Sequence, residues 1–214
     1  MRMMIRSVMV AVVVIACASA ARAQVFYSFP GAKPVPDTSP SLGLVAGFGD
    51  NVVRLGGFGR FNLSQKSDLG LEAMYNNVKN DATDDDTGFY GAGIDGKWWF
   101  YEARPDMQID IAANLGAGFL TRDGTLDIHV PIGAIASHDF TTSDGRVIRP
   151  YAGFYFIVDY VKFDVPNGED DSDTDSDAEI RIGASADIVK NGSLFAALHA
   201  GNGTMFFIGF NLAL

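Results

Sequence analysis

The chain has almost no sulfur chemistry available to it. Of 214 residues one is a cysteine, Cys17, so an internal disulfide is excluded, and if the first 23 residues are removed thiolate catalysis goes with them. Histidine is nearly as scarce, with His129, His138 and His199. Beyond residue 23 there is no run of eighteen apolar residues, which excludes a helical membrane span. Stretches with the 3.6-residue apolar period of an amphipathic helix are nearly absent, while 24 glycines and 12% aromatics point to β-structure.

Arg2 and Arg6 flank an uncharged run from Ser7 to Ala21, and Ala21-Arg22-Ala23 is a small-x-small cleavage site. Residues 1–23 therefore read as a secretory signal peptide, cleaved after Ala23. A retained membrane anchor is the alternative, for which the apolar run is short. Lipoprotein processing at Val14-Ile15-Ala16-Cys17 is another. Cleavage removes three bases and no acid, taking the formal charge from −10 to −13. Such a surface repels nucleic acid and anionic lipid, so no nucleic-acid partner is expected. Residues 24–40 hold Pro30, Pro34, Pro36 and Pro40 and predict an extended, poorly ordered N-terminal tail.

From Ser41 to Leu214 ten segments alternate apolar with polar or small residues. The last is typical: Phe206, Ile208, Phe210, Leu212 and Leu214 share one face. The less apolar face carries charge in mid-strand, at Arg54, Arg60, Glu72, Asp95, Lys97, Asp110, Asp127, Arg149, Asp159, Glu179, Arg181 and Asp187. The segments are about 9 to 13 residues long, where globular strands run about 5 to 6 and a tilted membrane-crossing strand needs about 9 to 11. Two acidic loops, 77–88 and 164–177, follow the third and seventh strands and so fall on one side, with short turns opposite. Pro131 predicts a bulge, and Pro150 a strand start near it. The architecture expected is an all-β transmembrane antiparallel up-and-down barrel of ten strands, eight being the lower count, as one domain over 41–214. Its rival is a soluble periplasmic binding barrel or sandwich with the apolar face inside.

These features, with a C-terminal strand similar to the signal read by the barrel assembly machinery, make Ser41 to Leu214 resemble the small outer-membrane β-barrel proteins of Gram-negative bacteria. That family signal usually ends in Phe or Trp, whereas this chain ends in Leu214. The resemblance implies an outer-membrane location, outer-membrane lipids as surroundings and the assembly machinery as a partner during insertion. It does not fix a function.

Asp171, Asp173, Asp175 and Asp177 place oxygen ligands at alternate positions, as weak Ca²⁺ or Mg²⁺ binding would use. They are not an EF-hand, because Ser176 and Ile182 stand where Gly and Glu belong. A solvated loop is the plainer reading, and a surface adhesin using both acidic loops the other. His199-Ala200-Gly201-Asn202 resembles the His-x-Ser-Asn motif of lipid A deacylases, but Gly201 replaces the nucleophile. Asp127 and His129, two apart on one strand, resemble the Asp and His pairs of outer-membrane proteases, with no other motif matching. Trp98 to Tyr101 suit an interfacial aromatic girdle. The expectation is a non-enzymatic integral outer-membrane protein without a cofactor, structural or conducting small solutes weakly, its inward charges pairing across a narrow lumen.

Overall fold

The computed structural model describes residues 31–35, 39–80, 85–105, 107–122, 125–163 and 171–214. The expected signal peptide and residues 24–30 of the tail lie outside them. Alternating sequence becomes long strands: β1 (Ser41–Gly49), β2 (Val52–Ser64), β3 (Ser67–Asn80), β4 (Asp85–Tyr101), β5 (Asp110–Arg122), β6 (Thr125–Ser137), the two-residue β7 (Phe140–Thr141), β8 (Val147–Phe163), β9 (Asp171–Val189), β10 (Gly192–Gly201) and β11 (Gly203–Ala213). Each pairs antiparallel with its neighbours, β1 also pairs with β11, and β6 pairs with β8 across its whole length. The result is a closed barrel of ten strands, with β7 a short flap on β8. Closure leaves no edge through most of the wall, which is the condition for strands to cross lipid.

The apolar face is the outer one. Leu44, Leu55, Leu115, Ile132, Phe154 and Ile182 are each more than half exposed, whereas Arg54, Arg60, Glu179 and Arg181 are 2% exposed or less. A water-soluble barrel would have the opposite arrangement, so the soluble alternative fails on burial. Trp98 and Phe100 point outward near the end that carries both termini, and Tyr75, stacked at 5.1 Å on Tyr90, near the far end. Tyr90 and Trp98 are eight residues apart in β4, about 26 Å of strand and roughly 20 Å along the axis of a barrel tilted by about 40°. That suits the apolar band between two aromatic girdles.

Three expectations need correction. The described parts of the acidic segments are strand: β3 runs to Asn80 and β4 starts at Asp85, and β9 starts at Asp171. Asp173, Asp175 and Asp177 lie on a ribbon of strands that rises past the end of β10: there β9 pairs with β8 and β8 with β6, while β10 pairs with β9 only from Ile180 onward. Carboxylates on such a free edge discourage pairing with other chains. The connections at the terminus end are not all short either: 65–66 and 190–191 are two-residue turns, but residues 102–109 and 138–146 are longer. Pro131 makes no bulge. The β5–β6 register is the same on both sides of it, with pairing interrupted between Leu115↔Ile132 and Gly118↔His129, while the β8 side continues unbroken. Pro131 lacks the donor β5 would need. The strand start expected near Pro150 is present, since β8 begins at Val147 and its pairing with β6 at Tyr151.

Ile94 lies midway between the girdle residues and faces outward. Ile94→Arg is expected to destabilise the barrel in vesicles by about 2–4 kcal/mol, measured by urea unfolding. Thr174→Arg, on the exposed ribbon, should leave the midpoint unchanged.

Candidate functional site

Alternation sends every second side chain of each strand into the lumen, and these polar side chains must satisfy one another. Toward the terminus end they do so around Arg60. Its Nε donates to Asp68 Oδ1 at 2.9 Å and its Nη2 to Asp95 Oδ2 at 2.7 Å. Asn114 Nδ2 donates to the same Asp95 oxygen at 2.8 Å. Lys97 Nζ lies 3.4 Å from Asp68 Oδ2. Space for this comes from Gly70, between Asp68 and Glu72 on the inner face, where a Cβ would stand 2.1 Å from Asp95 Oδ1.

The N-terminal segment enters this cluster. Lys97 has three ammonium protons, and besides Asp68 it donates to the carbonyls of Gly31 at 3.1 Å and Lys33 at 2.8 Å. Val35 N donates to Asp68 Oδ2 at 3.0 Å, Asn62 Nδ2 to Val35 O at 2.7 Å, and Ala32 N to Ser137 Oγ at 2.8 Å. Ala32 is fully buried. Residues 31–35 thus cross the mouth from the β6 wall to the β2–β3 wall and narrow it. The expected free tail is corrected over this stretch. Gly31 is required where it stands, because its φ is +111° and a Cβ would lie 2.4 Å from Arg149 Cδ.

Lys33 Nζ sits 3.2 Å from Asp139 Oδ2 and 3.3 Å from Asp110 Oδ2, and Arg149 grips Asp139 with Nε at 2.5 Å and Nη2 at 3.2 Å. Partial burial opposes the Lys33 charge, but Asp139 and Asp110 outweigh it and hold the ammonium above its usual range. Partial burial likewise opposes the Asp139 charge, and Arg149 and Lys33 prevail, holding the carboxyl below its usual range. Beside the docked segment a cavity of about 510 Å³ remains, lined among others by Arg149, Ser185, Asp187 and Lys190.

Toward the far end Arg54 Nε donates to Asn76 Oδ1 at 2.7 Å, and Arg181 pairs with Glu179 while its guanidinium lies 3.9 Å over the Tyr155 ring. Glu72, also buried, is within electrostatic reach of Arg181. His199 is buried between Phe207, 4.4 Å between ring centroids, and Glu179 Oε1 at 3.4 Å. A third group, Asp127, His129 and Asp159, joins β6 to β8 near the far mouth. Of the acidic ribbon, Asp175 and Asp177 are half-buried and Asp173 is exposed; Asp171 lies at the start of β9.

Sequence reasoning missed Asp68, the group that ties Arg60, Lys97 and Val35 together, because it sits one residue past a turn. Its even spacing with Glu72 and Asn76 was the available signal. The docking of residues 31–35 had none.

Arg60→Met leaves Asp68 and Asp95 with Lys97 as their remaining cation, and should cost about 3–5 kcal/mol in detergent unfolding. Gly70→Val should lower the midpoint as well. The Asp139 contribution to docking is present above about pH 4, the carboxylate's unfolded value, and fades as pH falls through its lower folded value; the Lys33 contribution holds below about pH 10 and fades above it. Protease protection of residues 31–35 should therefore be flat from about pH 5 to 9 and decline below about pH 4, and Asp139→Asn should shrink the acid limb, leaving the part that Asp68 and Asp110 carry.

No protein-family model and no curated protein sequence matches the chain. Solved structures do. The β domain of the Bordetella autotransporter BrkA is 11% identical with a TM-score of 0.55, covering 82% of this chain and 99% of that one. An outer membrane channel from Pseudomonas putida F1 is 10% identical with a TM-score of 0.46, covering 88% and 100%. The N-terminal β-barrel domain of Pseudomonas aeruginosa OprF is 11% identical with a TM-score of 0.40, covering 83% and 98%. At these identities the likeness is one of fold: the chain has the closed antiparallel barrel of outer-membrane β-barrel proteins.

Proposed function

We propose that this is a structural, non-catalytic outer-membrane barrel whose passage for small solutes is held nearly shut by its own N-terminal segment. The observation that carries this reading is the lumen itself, filled by paired ions and, at the terminus end, by residues 31–35 bonded to Lys97, Asp68, Asn62 and Ser137. The cations around the remaining cavity do not make it an anion funnel, because Arg60, Lys97, Lys33 and Arg149 each face a carboxylate. On this reading the end with both termini faces the periplasm, the β8–β9 ribbon faces outward, and β11 is the strand presented to the barrel assembly machinery. The absence of a hydroxyl at Gly201 and the burial of His199 favour no deacylase chemistry.

In planar bilayers the refolded protein should give small, infrequent openings. Deleting residues 24–35 should raise conductance several-fold while the heat-modified gel shift of a folded barrel persists. A large steady pore in the intact protein would defeat the reading, as would a deletion without effect. Purified folded protein should leave lipid A and peptide substrates unchanged.

A further inference from the structure

Both ring nitrogens of His129 face carboxylates. Nδ1 is in direct hydrogen-bond contact with Asp159 Oδ1, and Nε2 lies 3.2 Å from Asp127 Oδ2. A neutral imidazole carries one N–H and one lone pair. With the N–H given to Asp159, the Nε2 lone pair points at an anion, an arrangement that needs a positive charge between them. Nε2 makes no hydrogen bond of good geometry among the described residues, nor does Asp127 Oδ1, although both atoms are buried. His129 is 4% exposed, and one ligand atom from each of Asp127, His129 and Asp159 lies within 4.8 Å of the others. We propose that these three residues form a site for a divalent transition-metal ion of the Zn²⁺ class at the far mouth of the barrel.

The donor set fits that class. One imidazole with carboxylates suits Zn²⁺ better than Ca²⁺ or Mg²⁺, which take all-oxygen shells. Asp127 and His129 Nε2 would be the ligands. Asp159 would hold Nδ1–H and so fix the tautomer, as carboxylates behind metal-bound histidines do. Water would complete the shell from the mouth, toward which Asp127 keeps 21% of its side chain exposed. Asp175, opposite Asp159 in the β8–β9 register, adds negative potential nearby. The site differs from the acidic alternation expected to bind Ca²⁺ or Mg²⁺: its ligands come from the lumen wall instead of the ribbon, and the ion would clip β6 to β8.

The test is Zn²⁺ titration of metal-stripped, refolded full-length protein in detergent, by calorimetry and by the temperature of the heat-modified gel shift. One equivalent should bind and raise that temperature. Asp127→Asn and His129→Gln should lose binding while still showing the folded gel form. Asp159→Asn should weaken binding by about 10–100-fold. Should His129→Gln fail to fold, the partly exposed Asp127→Asn decides alone. The proposal is overturned if no saturable equivalent binds, if Asp127→Asn binds as tightly as the parent, or if binding is lost instead in Asp173→Asn/Asp177→Asn. In the first case the positive charge is a proton on Nε2, and the imidazolium faces one carboxylate with each N–H.

Discussion

Arg60 cannot be buried in a barrel alone, and much of the interior follows from how its charge is met. A guanidinium taken from water costs several kcal/mol unless its donors and its charge are both matched. Two aspartates, from β3 and β4, meet it. Two acids around one cation leave one negative charge over, which Lys97, on the same strand as Asp95, balances. Lys97 then has donors to spare, and the carbonyls of Gly31 and Lys33 take them. The N-terminal segment is thus held by hydrogen bonds the barrel wall itself leaves incomplete.

The same logic explains an inside-out protein. An exterior of leucine, isoleucine and phenylalanine has no use for water, and an interior of ten strands is too narrow for much of it. Polar inner residues are then matched pair by pair, and aromatic rings fill the remaining space, Tyr155 under Arg181 and Phe207 beside His199. Gly70 shows how closely this is fitted, since one methyl group there would displace Asp95. Such a lumen is a core made of ions, completed at one mouth by the five residues 31–35.

The far end is built differently. β9 outruns β10, so its first residues have a partner on one side alone. Alternating aspartates there are compatible with a free edge in water, whereas hydrophobic residues would invite another strand. What looked like a loop in composition is a ribbon, because serine, threonine and aspartate in strict alternation can follow the pleat when β8 supplies the ladder.

Period-two alternation, strand length and mid-strand charge were enough to determine ten membrane-crossing strands and which side chains share a face, since facing is a local property of an extended chain. They could not say which charges meet. Arg60 with Asp95, Glu179 with His199, and His129 with Asp159 are set by inter-strand register and by closure of β6 on β8, which no single segment encodes. Nor could a proline-rich stretch announce that residues 31–35 would find carboxylate and ammonium partners some 33 to 106 positions away. That decision belongs to the tertiary structure, because only the closed ring brings Asp68, Lys97, Ser137 and Asp139 around one opening.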